Sequence, residues 1–155
     1  MKKIAQLFLF VLMAGSLTSC FENYFDLYRA TVVEFDAAVR TAPAAGRTYP
    51  LLAVSNGAGI QKAQINLVGP QQATDRTIKV TVEPALSTAV AGTHYKIVNE
   101  NVTIPANSSF GELQIEILRV PAQANITFNL VVAIEGSADI KPSENYKRLG
   151  WTIRL

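Results

Sequence analysis

Alternation of apolar and polar residues dominates the chain after residue 28, and helical spacing is rare. The clearest example is Thr77–Glu83, where Ile78, Val80 and Val82 fall on one face and polar residues on the other. Such period-two alternation is typical of a strand with one buried face. It predicts further strands at Glu112–Ile117, Asn125–Ile134 and Leu149–Leu155, and weaker ones at Arg29–Phe35, Tyr49–Val54, Ala63–Val68 and Asn101–Ile104.

For two of these strands the sequence also predicts which residues are buried. In Asn125–Ile134, Val131 and Ala133 occupy the face opposite the main apolar row, which predicts a central strand covered on both sides. In the C-terminal strand, Trp151 is in register with Leu149 and Ile153, so we expect it in the core.

Turn signals separate the predicted strands, and no helical interval lies between them. This spacing excludes βαβ units and predicts an all-β fold, a single antiparallel β-sandwich of about seven or eight strands over residues 29–155. The glycine-rich stretch Ser55–Gly59 lacks the Gly-Lys-Ser/Thr ending of a phosphate-binding loop, so we expect a hairpin turn there.

The first twenty residues have the form of a secretion signal. Lys2 and Lys3 precede an apolar run of 14 residues, Ile4–Leu17, which is shorter than the span of about 20 that a membrane helix needs. The following Leu17-Thr18-Ser19-Cys20 resembles the lipobox of bacterial lipoproteins. The resemblance implies a lipoprotein signal peptide at 1–19, lipidation of Cys20, a tether at 20–28 and a lipid-anchored place in the cell envelope, with the outer membrane expected and its face left open.

Charge and residue counts narrow the function. Without Lys2 and Lys3, 12 of the 14 basic side chains remain against 12 acidic ones, and no basic cluster indicates a nucleic-acid partner. The chain has one His and one Cys, too few for common zinc sites or a disulfide framework. Glu112 and Glu116 would lie about 13 Å apart on a strand face, beyond the roughly 5–9.5 Å of glycosidase carboxylates. We expect no enzyme activity and no cofactor.

Short motifs relate the chain to known families. The stretch from Thr77 to Leu118, with Ala91-Gly92-Thr93-His94-Tyr95 and then VTIPANSSFGELQIEIL, is similar to the Calx-beta domain, an immunoglobulin-like sandwich. Together with IKPSENYKR near the C-terminus, it also resembles small Bacteroidetes lipoproteins of unassigned function. The resemblance implies an immunoglobulin-like fold over most of the chain after its signal peptide.

At the matching positions, Gly92 and Asn107 suit tight turns, Tyr95 a core ring and Pro105 the end of a strand. His94 stands where the Calx-beta pattern has an acid, and Asp26, Asp36, Asp75 and Asp139 are scattered. Since calcium takes six to eight oxygens, several of them usually from carboxylates, we expect no metal site, and His94 to be a loop residue.

The leading interpretation is a non-catalytic, lipid-anchored module that binds an envelope protein, for example by strand addition at a sheet edge. The alternative is a surface glycan-binding accessory lipoprotein. Sugar sites use exposed aromatic rings flanked by amides and acids, and Tyr49, Phe110 and Tyr146 fall near predicted loops. They are the candidate ligand contacts.

Overall fold

The computed structural model describes residues 31–155, and ten strands within that range form two five-stranded sheets. A short helix and a 3-10 turn complete the regular structure of this described range. The elements are β1 (Val32–Phe35), α1 (Asp36–Arg40), β2 (Leu51–Ser55), β3 (Gly59–Val68), β4 (Arg76–Val82), a 3-10 helix (Pro84–Leu86), β5 (Tyr95–Ile97), β6 (Asn101–Ile104), β7 (Phe110–Ile117), β8 (Thr127–Gly136), β9 (Lys141–Pro142) and β10 (Arg148–Arg154).

The two sheets confirm the all-β sandwich. Sheet A has the order β5-β7-β3-β1-β9, and sheet B has the order β2-β10-β8-β4-β6. All eight strands expected from the sequence are present. The two additional strands, β5 and β9, contain three and two residues and are too short to show alternation. β3 begins at Gly59, before the expected Ala63. The sequence pattern did not reveal this extension, because the exposed Ile60 interrupts the alternation of apolar and polar residues at that end.

Two details of the expected topology are wrong. β2 pairs with β10 in parallel, as does β1 with β9, so the sandwich is not wholly antiparallel. The Ser55–Gly59 turn is not a hairpin turn, since it joins β2 in sheet B to β3 in sheet A. Its local geometry is still a tight turn, because Ala58 N–H donates to the Ser55 carbonyl at 3.1 Å and Gly57 has φ 69°. An Asn-Gly pair indicates a turn, but it does not specify whether the next strand stays in the same sheet.

The core lies between the inward faces of the two sheets, where alternate residues of each strand interdigitate. Trp151 is buried there, as expected. The fully buried large side chains are Trp151, Phe35, Ile65, Ile78, Ile104, Leu113, Ile115, Ile117, Leu130, Ile134, Leu149 and Ile153.

β8 is the central strand of sheet B and is covered on both faces, as predicted from its sequence. Val131 points away from the main core, yet it has no exposed surface. Leu51 lies over Gly150, the residue that pairs with Val131 across the sheet. The segment that follows β4 bonds to the same strand: Glu83 N–H donates to the Val131 carbonyl at 2.9 Å.

Helical structure is minor within the described residues. α1 has five residues, with an ion pair between Asp36 and Arg40, and so short a helix leaves no periodicity to detect. Within residues 31–155, no helix combines the length and the apolar character that crossing a membrane requires.

Candidate functional site

A groove of about 600 Å³ runs between β6 and β7 and reaches the outer face of β3. Gly111 sits where the two strands approach: a Cβ there would lie 2.8 Å from Val102 Cγ1. The glycine therefore permits β7 to pass close to β6. We call this surface the Phe110 groove; it is lined by Gln64, Asn99, Asn101, Thr103, Pro105, Phe110, Gly111 and Glu112.

The Phe110 ring is 57% exposed at one end of the groove. The ring follows a tight connection between β6 and β7. As expected, β6 ends directly before Pro105, and Asn107 takes the left-handed conformation with φ 58°. Ser108 Oγ then accepts a hydrogen bond from Phe110 N–H at 3.1 Å. The turn therefore presents an aromatic ring to solvent on the first residue of a strand.

At the opposite end of the groove, the Asn99 side chain bonds to the backbone of β7. Its Nδ2 donates to the Glu112 carbonyl at 2.8 Å, and its Oδ1 accepts from Gln114 N–H at 2.7 Å. One side-chain amide thus satisfies two backbone groups on the edge of β7 in the way a neighbouring strand would. Asn101 and Thr103 project from the outer face of β6, and neither makes a side-chain hydrogen bond to another residue of the described range.

Hydrogen bonds join polar side chains on the outer face of sheet A. Glu112 Oε1 lies 2.9 Å from Lys62 Nζ and accepts a 2.9 Å hydrogen bond from Gln114 Nε2. These hydrogen bonds, and then the Lys62 charge, hold the pKa of Glu112 below its ordinary value. On the neighbouring strand, Gln64 Nε2 donates to Asn66 Oδ1 at 2.7 Å. The groove therefore opens onto a set of oriented amides and one ionised carboxylate that is paired with a lysine.

The structure separates the three aromatic residues that the sequence analysis grouped. Tyr146, 37% exposed, lines a different pocket of about 410 Å³, which we call the Tyr146 pocket. Tyr49 is half-buried and lines neither cavity, although Thr48 and Pro50 on either side of it line the Tyr146 pocket. Phe110 is the most exposed ring of the three and the one surrounded by amides.

His94 is a hydrogen-bonded loop residue, but it is 8% exposed and belongs to the structure of its turn. Its Nδ1 accepts a hydrogen bond from Val90 N–H at 2.9 Å, and its ring stacks on Phe128 with a centroid distance of 4.0 Å. The turn includes Gly92 at φ 76°, and Tyr95 is buried as expected. Burial also raises the pKa of the Tyr95 hydroxyl.

Acidic side chains are dispersed over the described part of the chain. Residues 31–155 contain no group of three His, Cys, Asp or Glu side chains placed to hold a metal ion. Glu112 and Glu116 share the outer face of β7, with Gln114 between them. A third cavity of about 360 Å³ includes Asp75, Arg76 and Asp139, and Asp75 Oδ1 accepts a hydrogen bond from Ala106 N–H at 2.8 Å.

Of the residues that line the groove, the sequence predicted only Phe110 as a ligand contact and did not reveal the amides around it. Gln64, Asn99 and Asn101 are separated along the chain, and a single sequence does not reveal that they meet. The available signal was the polar face of the predicted strands, which Gln64 and Glu112 share across paired β3 and β7. The predicted lipidation site Cys20 and the lipobox Leu17, Thr18 and Ser19 lie outside the described residues.

Comparison with known proteins places most of the chain in one family model. The model is described as a domain of unknown function (DUF4843), and it matches residues 57–154. Every residue that lines the Phe110 groove falls within that match. No curated protein matches the chain.

Solved structures show the same fold at low sequence identity. The apo form of the Calx CBD1 domain aligns with a TM-score of 0.58 and 13% identity, over 81% of this chain and 97% of that one. The CBD12 structure from CALX1.2 aligns with a TM-score of 0.56 and 12% identity, over 79% of this chain and 43% of that one. The chain is thus similar to Calx-beta domains, with an immunoglobulin-like sandwich.

Proposed function

The chain belongs to the DUF4843 family, whose function is unknown, and we propose that it is a non-catalytic glycan-binding module anchored to the bacterial cell envelope by a lipid on Cys20. One observation carries the binding part of the proposal: an exposed aromatic ring stands at the end of a groove lined by amide and hydroxyl side chains.

The chemistry of the groove suits a sugar. The apolar C–H face of a pyranose ring can stack on Phe110, which would remove exposed aromatic surface from water. Sugar hydroxyls both donate and accept hydrogen bonds, as do the side chains of Asn101, Gln64 and Thr103. The groove volume of about 600 Å³ falls within the range common for small-molecule sites.

The arrangement of acids supports binding without hydrolysis. Glycosidases place two carboxyl groups on either side of the scissile bond. Glu112 is the one acid that lines the described groove, and its carboxylate is already bonded by Lys62 and Gln114. We expect the bound glycan to leave the groove chemically unchanged, which product analysis after prolonged incubation would check.

A direct test compares two aromatic variants of the full-length protein against a panel of soluble polysaccharides. Phe110→Ala should weaken binding about fivefold, since the stacking energy of one ring is of order 1 kcal/mol. Tyr146→Ala removes a comparable exposed ring from the other pocket and should leave affinity unchanged. The absence of binding to every polysaccharide, or equal loss in both variants, would contradict the proposal.

The anchoring part rests on the sequence Leu17-Thr18-Ser19-Cys20. Stable membrane attachment takes more than one acyl chain, which a lipidated N-terminal cysteine supplies. A fatty-acid analogue fed to cells should label the native protein and not Cys20→Ser. Label retained by the variant would exclude Cys20 as the lipid site.

A second candidate function, binding of an envelope protein, is favoured by the open edge of β2. Asn56 N–H and the Pro50 carbonyl bond to β10, so by alternation along a parallel strand the backbone groups of Leu51 and Ala53 face away from it. No strand of the described sheets pairs with that side of β2, and the strand has no charged residue. Such an edge can accept a partner strand.

Proline at position 53 tests this candidate, because it removes an outward N–H and keeps the bonds to β10. Ala53→Pro should release a partner that co-purifies with the native protein in mild detergent. Ala53→Ser, which changes the same exposed side chain but keeps its N–H, is the matched control. A partner retained equally by Ala53→Pro would exclude the edge as its binding site.

A further inference from the structure

The charges around the Phe110 groove restrict the class of glycan that the groove can hold. None of its lining residues is cationic, and Glu112 is the one ionisable side chain among them. Two described cations adjoin the lining, and each is already paired. The Lys62 ammonium group lies 2.9 Å from Glu112. Lys79, opposite Asn101 across β4 and β6, lies 3.3 Å from Glu135. An incoming carboxylate or sulfate would therefore find amide donors but no unpaired positive charge.

Acidic side chains flank the groove on two sides. Glu100 lies between Asn99 and Asn101 in the chain and is exposed. Glu34 is paired across the sheet with Asn66, whose other neighbour across the sheet is Phe110. The local field thus disfavours an anion, and partial removal of an anion from water without a paired cation costs free energy.

We propose that the Phe110 groove selects neutral glycans against acidic ones carrying carboxylate or sulfate groups. The selection rests on the proposed function, because it presumes that the groove binds a glycan. Its attractive component is stacking on Phe110 and hydrogen bonding to neutral amides. Its repulsive component is the carboxylate of Glu112. This carboxylate repels an incoming anion and pairs with Lys62, so that the lysine is not available to bind the anion.

Glu112→Gln is the informative variant. Glutamine keeps the size and the hydrogen-bonding capacity of the side chain but removes its charge, so the Lys62 ammonium group is left unpaired beside the groove. The readout is a ratio within each variant: the affinity for an acidic chain divided by the affinity for its neutral partner should rise about tenfold in Glu112→Gln. Glu116→Gln, on the same face of β7 but outside the groove lining, is the matched control.

The probes are pairs of polysaccharides that share one backbone: hydroxyethyl and carboxymethyl cellulose, carboxyl-reduced and native polygalacturonate, and dextran and dextran sulfate. Affinity electrophoresis of the full-length protein should give binding at least about tenfold tighter for the neutral member of a pair that binds. The same affinity should be nearly independent of salt, since no ion pair to the ligand is formed.

The outcomes separate the two proposals. The selection is supported if the native protein binds the neutral member of a pair more tightly, and if this affinity ratio falls in Glu112→Gln but is unchanged in Glu116→Gln. Equal binding of both members, or tighter binding of the acidic member, overturns the selection and leaves glycan binding in place. If no member of any pair binds, both proposals fail.

Discussion

The outer faces of the two sheets differ in how far they are covered. On sheet B, the chain covers its own central strand, so that Val131 has no exposed surface although it points away from the main core. On sheet A, the outward residues Lys62, Gln64 and Glu112 remain open and bond to other polar side chains at the surface. The closed face stabilises the fold, whereas the open face and its groove are available for a ligand.

The largest expected effect compares one substitution on both faces. Val131→Asp places a carboxylate in a fully buried position and should lower the free energy of unfolding by more than about 3 kcal/mol, or prevent folding. Val68→Asp, at a position that is 42% exposed on sheet A, should cost less than about 1 kcal/mol. Urea denaturation measures both. Equal costs would show that the two faces do not differ in packing.

Gly150→Ala tests how tightly the face of sheet B is closed. The new Cβ would lie 2.3 Å from Leu51 Cδ2 and 3.0 Å from the Leu130 carbonyl oxygen. We expect a loss of about 2 kcal/mol, the cost typical of overpacking. Leu51→Ala removes the nearer obstacle, so the double variant should lose less stability than the sum of the single variants. Strict additivity would indicate that the Leu130 backbone, not Leu51, limits the space.

The covered and open faces also differ in how far the sequence predicted them. Val131 and Ala133 are apolar at positions where the other strands are polar, and this signal predicted a central strand covered on both sides. The sequence did not show that Leu51 supplies part of the cover, because β2 reaches β10 by a parallel pairing between strands about 100 residues apart.

The groove was predicted less well than the core. Core residues can be predicted from alternation along a single strand, as with Ile78 and Val80. Asn99 and Gln64 carry no such signal, since exposed amides occur on most strands and loops. Their meeting beside Phe110 depends on the sheet order β7-β3 and on the approach of β6, which require the whole fold.

Two glutamates on the open face should respond to pH in opposite directions. Burial, and then repulsion from Asp36, raises the pKa of Glu34, so its ionised form costs stability at neutral pH. Glu34→Gln should therefore stabilise the protein slightly at pH 7, by less than about 1 kcal/mol. The gain should shrink as the pH falls through the raised pKa of the folded state, and it should be gone below the ordinary carboxyl pKa, where the native side chain is protonated in both folded and unfolded states.

Glu112 provides the contrast, because hydrogen bonds from Lys62 and Gln114 lower its pKa. Its stabilising contribution is present above the pKa of the unfolded state and is lost as the pH falls through the lower pKa of the folded state. Glu112→Gln should thus reduce stability slightly at neutral pH, with a difference that disappears in acid. Melting curves of both variants from pH 2 to pH 7 provide the measurement, and parallel curves would refute the assignment.

The smallest expected effect is that of metal removal. The described residues place no three metal-ligating side chains together on either face. EDTA should therefore leave the melting temperature unchanged, and added calcium should not raise it. A rise of several degrees with calcium would show that a metal stabilises the fold, as mass action requires of any ligand that binds the native state.

The central claim is that the open side of sheet A binds glycan at the Phe110 groove, and NMR of the asparagine and glutamine side-chain amides tests it most directly. The full-length protein in micelles would be titrated with the polysaccharide that it binds best. We predict shifts for the side-chain amides of Gln64 and Asn101 and for the Phe110 ring, with Asn145 of the Tyr146 pocket unaffected. Shifts confined to Asn145 and Tyr146 would contradict the account.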